Sequence, residues 1–594
     1  MICPEILFPH IIININNVID PLKKRHDKNP IKGGSIPIVE VISKAQRART
    51  AIRIFKTTAD ALALRGYYKP SGRSGQTLAE SLKTLSPEIY GSINDARIIE
   101  LKGLEYVMDR LPRGIEECTR IILTAEEDLE HTTFEKITPL KRRRGSYRVS
   151  EKEMSFVITS GISEIYDILT HITFLNIEAE KIRNQACPDK KNPVSQWQEL
   201  TRDVREGIST EADLDRALWN LSIILGRTYH ETRDTYRYME KNRLEQGGNR
   251  GLFHIIHSLG TRAMEECESR DDMLLVYFTP ALREMIGLHT HGKKWSETVK
   301  DALLRSGLHE RPLHIISANM HSVMNALYAH GALGENRSGD FYEFIHEVRD
   351  SGRSIQAYAA EHGLQEIGDT SGAYIDCQII DTYLLKDVPF HPAVDISKKK
   401  LLREKPVILV MDYAFGAQAF EIMEELLSPY EKGAAVIPRN LRSISVMGKA
   451  GILTGKKGDI MLATAHVFEG TPHNYIINND LLKEDFDTSV DVYEGPIVTV
   501  LGTSLQNRDV LEKFQKTTWR AVGLEMEGGH YQRAISAALI RGHISPEVKV
   551  RYAYYASDNP LVSGQTLSSG GLGEEGIKPT YMITRVILEK IAAG

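Results

Sequence analysis

Two short acidic stretches late in the chain carry the residue types best suited to chemistry. In the first, Trp519–Tyr531, the apolar Ala521, Val522 and Leu524 lead into Glu525-Met526-Glu527, followed by two glycines and the helical run Gln532–Ile540. A carboxylate placed on an apolar approach is costly to bury unless something binds it. A ligand with vicinal hydroxyls, such as a ribose, would do so, because one carboxylate can accept from both. In the second stretch the apolar and aromatic Val548–Ala556 ends in Ser557-Asp558-Asn559-Pro560. That puts an acid at the C-terminal end of a strand, where open α/β sheets carry their chemistry. Each stretch also has a plainer reading. Ser-Asp-Asn-Pro is rich in turn formers, and Glu527 suits a helix start, where the dipole favours negative charge.

Taken together, V-G-L-E-M-E-G and Y-A-S-D-N-P-L resemble the nucleoside phosphorylase and nucleosidase superfamily, and within it the AMP nucleosidases. The resemblance covers roughly the last 280 residues. It implies an α/β C-terminal domain, a mixed sheet flanked by helices, and hydrolysis of the N-glycosidic bond of a purine nucleotide, with AMP the favoured substrate. Asp558 is then the general acid that protonates purine N7, for which its pKa must be raised by burial. Glu527 accepts from the ribose hydroxyls, Met526 lies against the sugar face, and Glu525 hydrogen-bonds the sugar or base. Two other readings stay open: a phosphorolytic purine nucleoside phosphorylase, and a regulated nucleotide-sensing or nucleotide-degrading effector.

Further residues follow from the same resemblance. Gly448-Lys449-Ala450-Gly451 is similar to the family's G-x-x-G turn at a strand end, followed by Gly458-Asp459. Glycines there let backbone N–H groups approach an anion, and Lys449 could take a 5′-phosphate, as could Arg442 or Arg439. Phosphorolytic members carry an arginine just before this turn. Val446 and Met447 stand there instead, which favours water as the nucleophile. Gly416, in Phe415-Gly416-Ala417-Gln418-Ala419, resembles a strand-end glycine turn. Asn319-Met320-His321 resembles an Asn-x-His at the first strand, where His321 either contacts phosphate or caps a helix. The short-chain nucleosidases have a water-activating glutamate near this place, and Val323 and its neighbours offer none. Ser504, Gln506 and Asn507 are candidates for the base edge. Ser563–Gly576 reads either as a lid or as a link to the last helix.

These residues need a scaffold, and the sequence supplies one in two grammars. Residues 311–594 read as the domain the resemblance covers, where short apolar strands alternate with helical runs, the pattern of a sheet layered by helices. Strands are expected at Leu313–Ala318, Ala373–Leu385 (a strand pair or one long strand), Pro406–Met411, Leu441–Met447, Asp459–Thr464 and Ile497–Leu501. Residues 41–310 read as a mainly α-helical domain of unknown role. Phe156, Ile162, Ile165, Ile168, Leu169 and Ile172 recur at helical spacing, as do Leu214, Ala217, Leu218, Leu221, Ile224 and Leu225. Residues 1–40, punctuated by prolines, read as an extended arm. The basic run Lys141–Arg144 is either a solvated linker or a contact for the phosphates of a nucleotide effector.

Composition bounds the rest. The chain has 594 residues, 42% hydrophobic, with a net charge of −5, so nothing advertises nucleic acid or an anionic membrane. Its five cysteines are scattered and form no C-x-x-C, which fits a reducing cytoplasm. No window approaches the apolar length of a membrane span. Asp128/His131 and Asp167/His171 have helical spacings that could join a carboxylate to an imidazole, but further carboxylates in register are missing, so no metal is expected. His254 and His257 lie in an apolar run and suit packing. No phosphate-loop or dinucleotide fingerprint is present. The chemistry needs no cofactor, and the resemblance implies a homo-oligomer, trimer or hexamer.

Overall fold

The alternation beginning at Leu313 builds a ten-stranded mixed sheet in the computed structural model, which describes residues 43–593 apart from 126, 143, 190, 270–272, 335–338, 433–434 and 563–573. Smaller strands come first in the chain: β1 (Tyr67–Tyr68), β2 (Arg120–Thr124), β3 (Glu135–Lys136), β4 (Gly145–Ser150), β5 (Glu153–Val157) and β6 (Leu275–Phe278). They form a separate sheet in the order β1-β6-β2-β5-β4-β3. The large sheet comprises β7 (Leu313–Ser317), β8 (Leu364–Ile367), β9 (Cys377–Asp381), β10 (Val407–Met411), β13 (Leu441–Ile452), β14 (Ile460–Phe468), β15 (Asn474–Ile476), β16 (Val492–Thr499), β17 (Gly523–Glu525) and β18 (Lys549–Asp558). Between them β11 (Tyr430–Lys432) and β12 (Ala435–Ile437) pair as a small ribbon.

The order of the large sheet is β15-β14-β16-β17-β13-β7-β10-β9-β8, and β18 pairs with both β13 and β14. The strands β13, β18, β14, β16 and β17 therefore close into a ring, from which β7, β10, β9 and β8 extend as an open wing. β13 is the common member. It runs parallel to β7 and β18 and antiparallel to β17. Gly451 on β13 is in register with Asp558 of β18 on one side and Leu524 of β17 on the other. One strand thus brings both acidic stretches to the same place.

Three sequence expectations change, the first being Ala373–Leu385, where only Cys377–Asp381 is a strand and Thr382–Asp387 coils into a 3-10 helix capped by the Asp381 side chain. β13 does not end at Met447. It runs through Gly448-Lys449-Ala450-Gly451, which pair with Tyr554–Asp558 across a register shift at Ala450/Gly451. An irregularity with two small residues resembles a turn in sequence, because bulges and turns draw on the same glycines. In the N-terminal half, Phe156 belongs to β5 and not to the helix that follows, which starts at Gly161 after a left-handed break (φ +66°). β5 is buried on both faces, and such a strand reads as an apolar run without alternation. Residues 44–310 accordingly combine helices with a six-stranded sheet. The helix Glu211–Leu225 forms as its spacing predicts. The arm proposed for residues 1–40, and most of Ser563–Gly576, fall outside the described residues. Among the described residues, no helix is long and apolar enough to cross a membrane.

The change of grammar near residue 311 is not a break in packing. Lys44–Gly594 forms one compact unit. A single apolar cluster joins Ile52, Phe55, Leu78, Leu82 and Tyr90 to Leu453, Val467, Val498, Val500, Leu505, Leu511, Phe514 and Leu524. Polar contacts cross as well: the Glu88 N–H donates to the Gln506 carbonyl at 3.1 Å, and Arg49 Nε to the Glu469 carbonyl at 3.0 Å. A buried aliphatic or aromatic side chain is worth about 1.5–3 kcal/mol, so uncovering several rivals a typical total stability of about 5–15 kcal/mol. A fragment beginning at residue 311 is therefore expected to be insoluble or to lack a cooperative unfolding transition. The full chain should show coincident denaturation curves by circular dichroism and by tryptophan fluorescence.

Candidate active site

A cavity of about 550 Å³ opens where β7, β10, β13, β17 and β18 end or bend. Asp558, Glu527, Met526, Glu525, Gly451, Lys449 and Asn319 all line it, with Tyr413, Phe415, Gly448, Thr503, Gln506 and Tyr555. The other wall comes from the N-terminal half: Tyr106, Arg110, Lys141 and Arg142.

The two glutamates of the triplet have different surroundings. Glu525 is buried, and its carboxylate is taken up by the protein. Thr499 Oγ1 donates to it at 2.6 Å, the backbone N–H groups of Glu527 and Gly528 donate to Oε2, and His466 Nδ1 lies 3.3 Å from Oε1. Burial alone would raise its pKa, but these donors outweigh it and hold Glu525 below the usual carboxylate range. These donors fix the strand-to-helix corner and occupy much of the Glu525 carboxylate. Glu527 faces the cavity and accepts from the Gly416 N–H at 2.9 Å. Burial and the neighbouring Glu525 charge push it up to about 7, against the pull of the Gly416 N–H and Arg142. Gly416 itself adopts φ +54°, and a Cβ there would meet Ser163 Oγ at 2.5 Å. Ser163 Oγ accepts from the Ala417 N–H at 2.8 Å, so the Gly416 turn rests on the helix Gly161–Ala186 of the N-terminal half.

Asp558 is the last residue of β18, with Ser557 Oγ 2.6 Å from its Oδ1. The turn begins one residue later. The Asn559 carbonyl accepts from the Val562 N–H at 3.0 Å, and Asn559 Nδ2 donates to the Gly455 carbonyl at 3.0 Å. The turn reading and the cavity reading therefore hold for adjacent residues.

Lys141, Arg142 and Arg144 of the basic run do not form a solvated linker. Arg142 lies over the Phe415 ring at 4.7 Å and 3.4 Å from Asp167. Arg144 is buried against Asp167 at 2.5 Å, and Lys141 sits 2.6 Å from Asp109. Burial would raise Asp167, but His171, Arg142 and Arg144 hold it well below the usual carboxylate range. With two arginines on its carboxylate, Asp167 is not placed to share a metal with His171. Among the described residues, no group of three or more His, Cys, Asp and Glu could hold a metal ion.

Other expected residues lie elsewhere. His321 is exposed, and its N–H donates to Asn319 Oδ1 at 3.0 Å as the helix Met320–Leu333 begins. Arg442 and Arg439 are exposed at the opposite end of β13. Ser504 is buried, and Asn507 spans the two halves, donating to the Leu85 carbonyl at 2.7 Å and accepting from the Val510 N–H at 3.0 Å. Of that loop, Gln506 and Thr503 reach the cavity, and Thr503 Oγ1 is 3.0 Å from Tyr106 Oη. Gly416 lines a second cavity of about 550 Å³ that shares Met526 and Val500 with the first. The N-terminal wall had no sequence signal beyond the basic run. Tyr106 and Arg110 sit in a helix and its exit that look like ordinary packing.

A model of one protein family, described as a family of unknown function (DUF6909), matches residues 76–352 and 339–593. The chain belongs to that family. No curated protein matches this DUF6909 member. Among solved structures it is similar to the 5′-methylthioadenosine/S-adenosyl homocysteine nucleosidase of Campylobacter jejuni, at 11% identity over 48% of this chain and 100% of that chain, TM-score 0.30. It is similar to a futalosine hydrolase mutant of Helicobacter pylori at 12% identity, over 47% of this chain and 98% of that chain, TM-score 0.28. Uridine phosphorylase from Schistosoma mansoni, in complex with thymidine, shares 12% identity over 48% of this chain and 86% of that chain, TM-score 0.29.

The raised pKa of Glu527 has a measurable consequence. Its unfolded-state value is near 4.5 and its folded value about 7, so between those limits the folded chain binds the extra proton. This contribution lowers stability as pH rises through the window, and the penalty is complete above about pH 7. Glu527→Gln removes it. The variant should be more stable than the parent by about 1–3 kcal/mol at pH 8, and the difference should shrink toward zero near pH 4.5. Urea denaturation at both pH values checks this, and a difference independent of pH would refute the assignment.

Proposed function

We propose that this protein cleaves the N-glycosidic bond of a purine nucleotide, with AMP and water giving adenine and ribose 5-phosphate. The observation that carries the reading is the convergence of Asp558, Glu527 and Met526 on one cavity through their shared neighbour β13. The reaction passes through an electron-poor, oxocarbenium-like ribose and a departing base. Asp558, at the end of β18, donates a proton to purine N7 and so neutralises the leaving group. Glu527, ionised above about pH 7, accepts from the ribose hydroxyls and places negative charge beside the sugar as positive charge develops. Met526 packs against the sugar face.

The cations on the facing wall also suit inorganic phosphate, which would make the reaction phosphorolytic. Phosphate dependence separates the two readings. Adenine is expected from AMP in phosphate-free buffer, followed by chromatography. Asp558→Asn should lower the rate by about 10²–10⁴-fold, the usual contribution of a positioned general acid. Base release only after phosphate is added would replace hydrolysis by phosphorolysis. No base from AMP, adenosine, inosine or GMP under either condition would overturn the glycosidase reading.

A further inference from the structure

Arg110 is the one cavity-lining arginine without a carboxylate partner among the described residues. It is only 6% exposed. Its guanidinium lies over the Tyr106 ring at 3.5 Å, and Nη1 donates to the Tyr106 carbonyl at 2.9 Å. Its Nε has no hydrogen-bond acceptor, although that atom is buried. Every other cation of this group is matched: Lys141 by Asp109, and Arg142 and Arg144 by Asp167. Arg142 shares its carboxylate with Arg144, and its Nε also lacks a hydrogen bond. The Asp167 and Asp109 charges reach Arg110 only from beyond ion-pair distance, and a buried guanidinium with no directly paired counter-charge is costly. The cation–π contact with Tyr106 offsets part of that cost and leaves Nε unused. On the far wall Glu525, Glu527 and Asp558 outnumber the single cation Lys449, so an anion is better placed on the N-terminal side.

Resting on the glycosidase reading of the same cavity, we infer that Arg110 and Arg142 form the subsite for the 5′-phosphate of the substrate, supplied by the N-terminal half of the chain. A phosphoryl group there receives forked donors from Arg110 and charge from Arg142, with the sugar spanning to Glu527 and the base to Asp558. This assigns the phosphate to neither Arg442, which is exposed at the opposite end of β13, nor to Lys449 alone. The N-terminal half thereby sets the substrate class: nucleoside 5′-monophosphates in preference to nucleosides.

The test pairs kinetics with binding. The kcat/KM ratio of AMP to adenosine is measured in phosphate-free buffer for the parent, Arg110→Met, Arg110→Lys and Arg113→Met. Arg113 is an exposed control paired with Glu135. Calorimetry then measures ribose 5-phosphate and ribose binding to the same four proteins, with circular dichroism to verify folding. Arg110→Met is expected to lower the AMP-to-adenosine ratio on the order of 10²-fold, as for loss of one partner of a desolvated charge pair. It should also abolish ribose 5-phosphate binding. Arg110→Lys should recover part of both, and Arg113→Met should change neither. Ribose 5-phosphate bound equally by the parent and a folded Arg110→Met, or not bound by the parent at all, would overturn the subsite. So would a ratio untouched by Arg110→Met. If Arg110→Met instead weakens only the use of free phosphate with adenosine, the 5′-phosphate assignment falls. Arg110-dependent binding of ribose 5-phosphate without base release from any nucleotide would uphold the subsite and sink the glycosidase reading.

Discussion

The burial of Glu525 is the constraint on which the site depends. A carboxylate there is tolerable only because Thr499, His466 and the backbone N–H groups of Glu527 and Gly528 all turn toward it. Those two N–H groups are the first free donors of the helix Gly528–Ile540, so one side chain ends β17, starts the helix and sets the direction in which Met526 and Glu527 leave the sheet. The corner has no slack. A Cβ on Gly528 would lie 2.1 Å from Tyr554 Oη and 2.4 Å from His466 Cε1. The glycine is required by close approach and not by backbone angle.

The same burial divides the labour between two chemically identical side chains. Glu525, rich in donors, is stabilised as the anion. Glu527, two residues on, is pushed up to about 7 by its own desolvation and by that neighbouring anion. Environments that push paired carboxylates apart are a common source of distinct roles at one site. Arg142 completes the arrangement. It is held by Asp167, flattened on Phe415, and its charge reaches Glu527. The turn carrying Phe415 and Gly416 also binds Glu527 through the Gly416 N–H and rests on Ser163. The N-terminal half therefore tunes the carboxylate as well as enclosing it.

The sequence made some of this legible and hid the rest, for physical reasons. Glu527 and Asp558 stood out because acids at strand ends violate the local apolar pattern, and violations of that kind mark sites. Glu525 stood out equally, but its partners Thr499 and His466 come from other strands, so nothing local distinguished a bracing role from a binding one. Gly448–Gly451 read as a turn because a strand irregularity and a turn share composition. Arg142 and Arg144 read most simply as a solvated run, since alternation of partners across a fold leaves no trace in spacing. Arg110 carried no signal at all: its meaning lies in what it lacks, a carboxylate, and absence of a partner can be seen only in three dimensions.

Charge placement then constrains how a ligand must lie. Arg110, Lys141 and Arg142 stand on the N-terminal wall, while the sheet wall carries Glu525, Glu527 and Asp558 with Lys449, and on the proposed reading the ligand's anion lies at the first wall and its sugar at the second. On that reading a neutral nucleoside would leave the Arg110 end of the cavity unfilled, and an anion without a sugar would leave the Glu527 end so. The two halves of the chain are continuous in their core and opposite in their charge at this cavity.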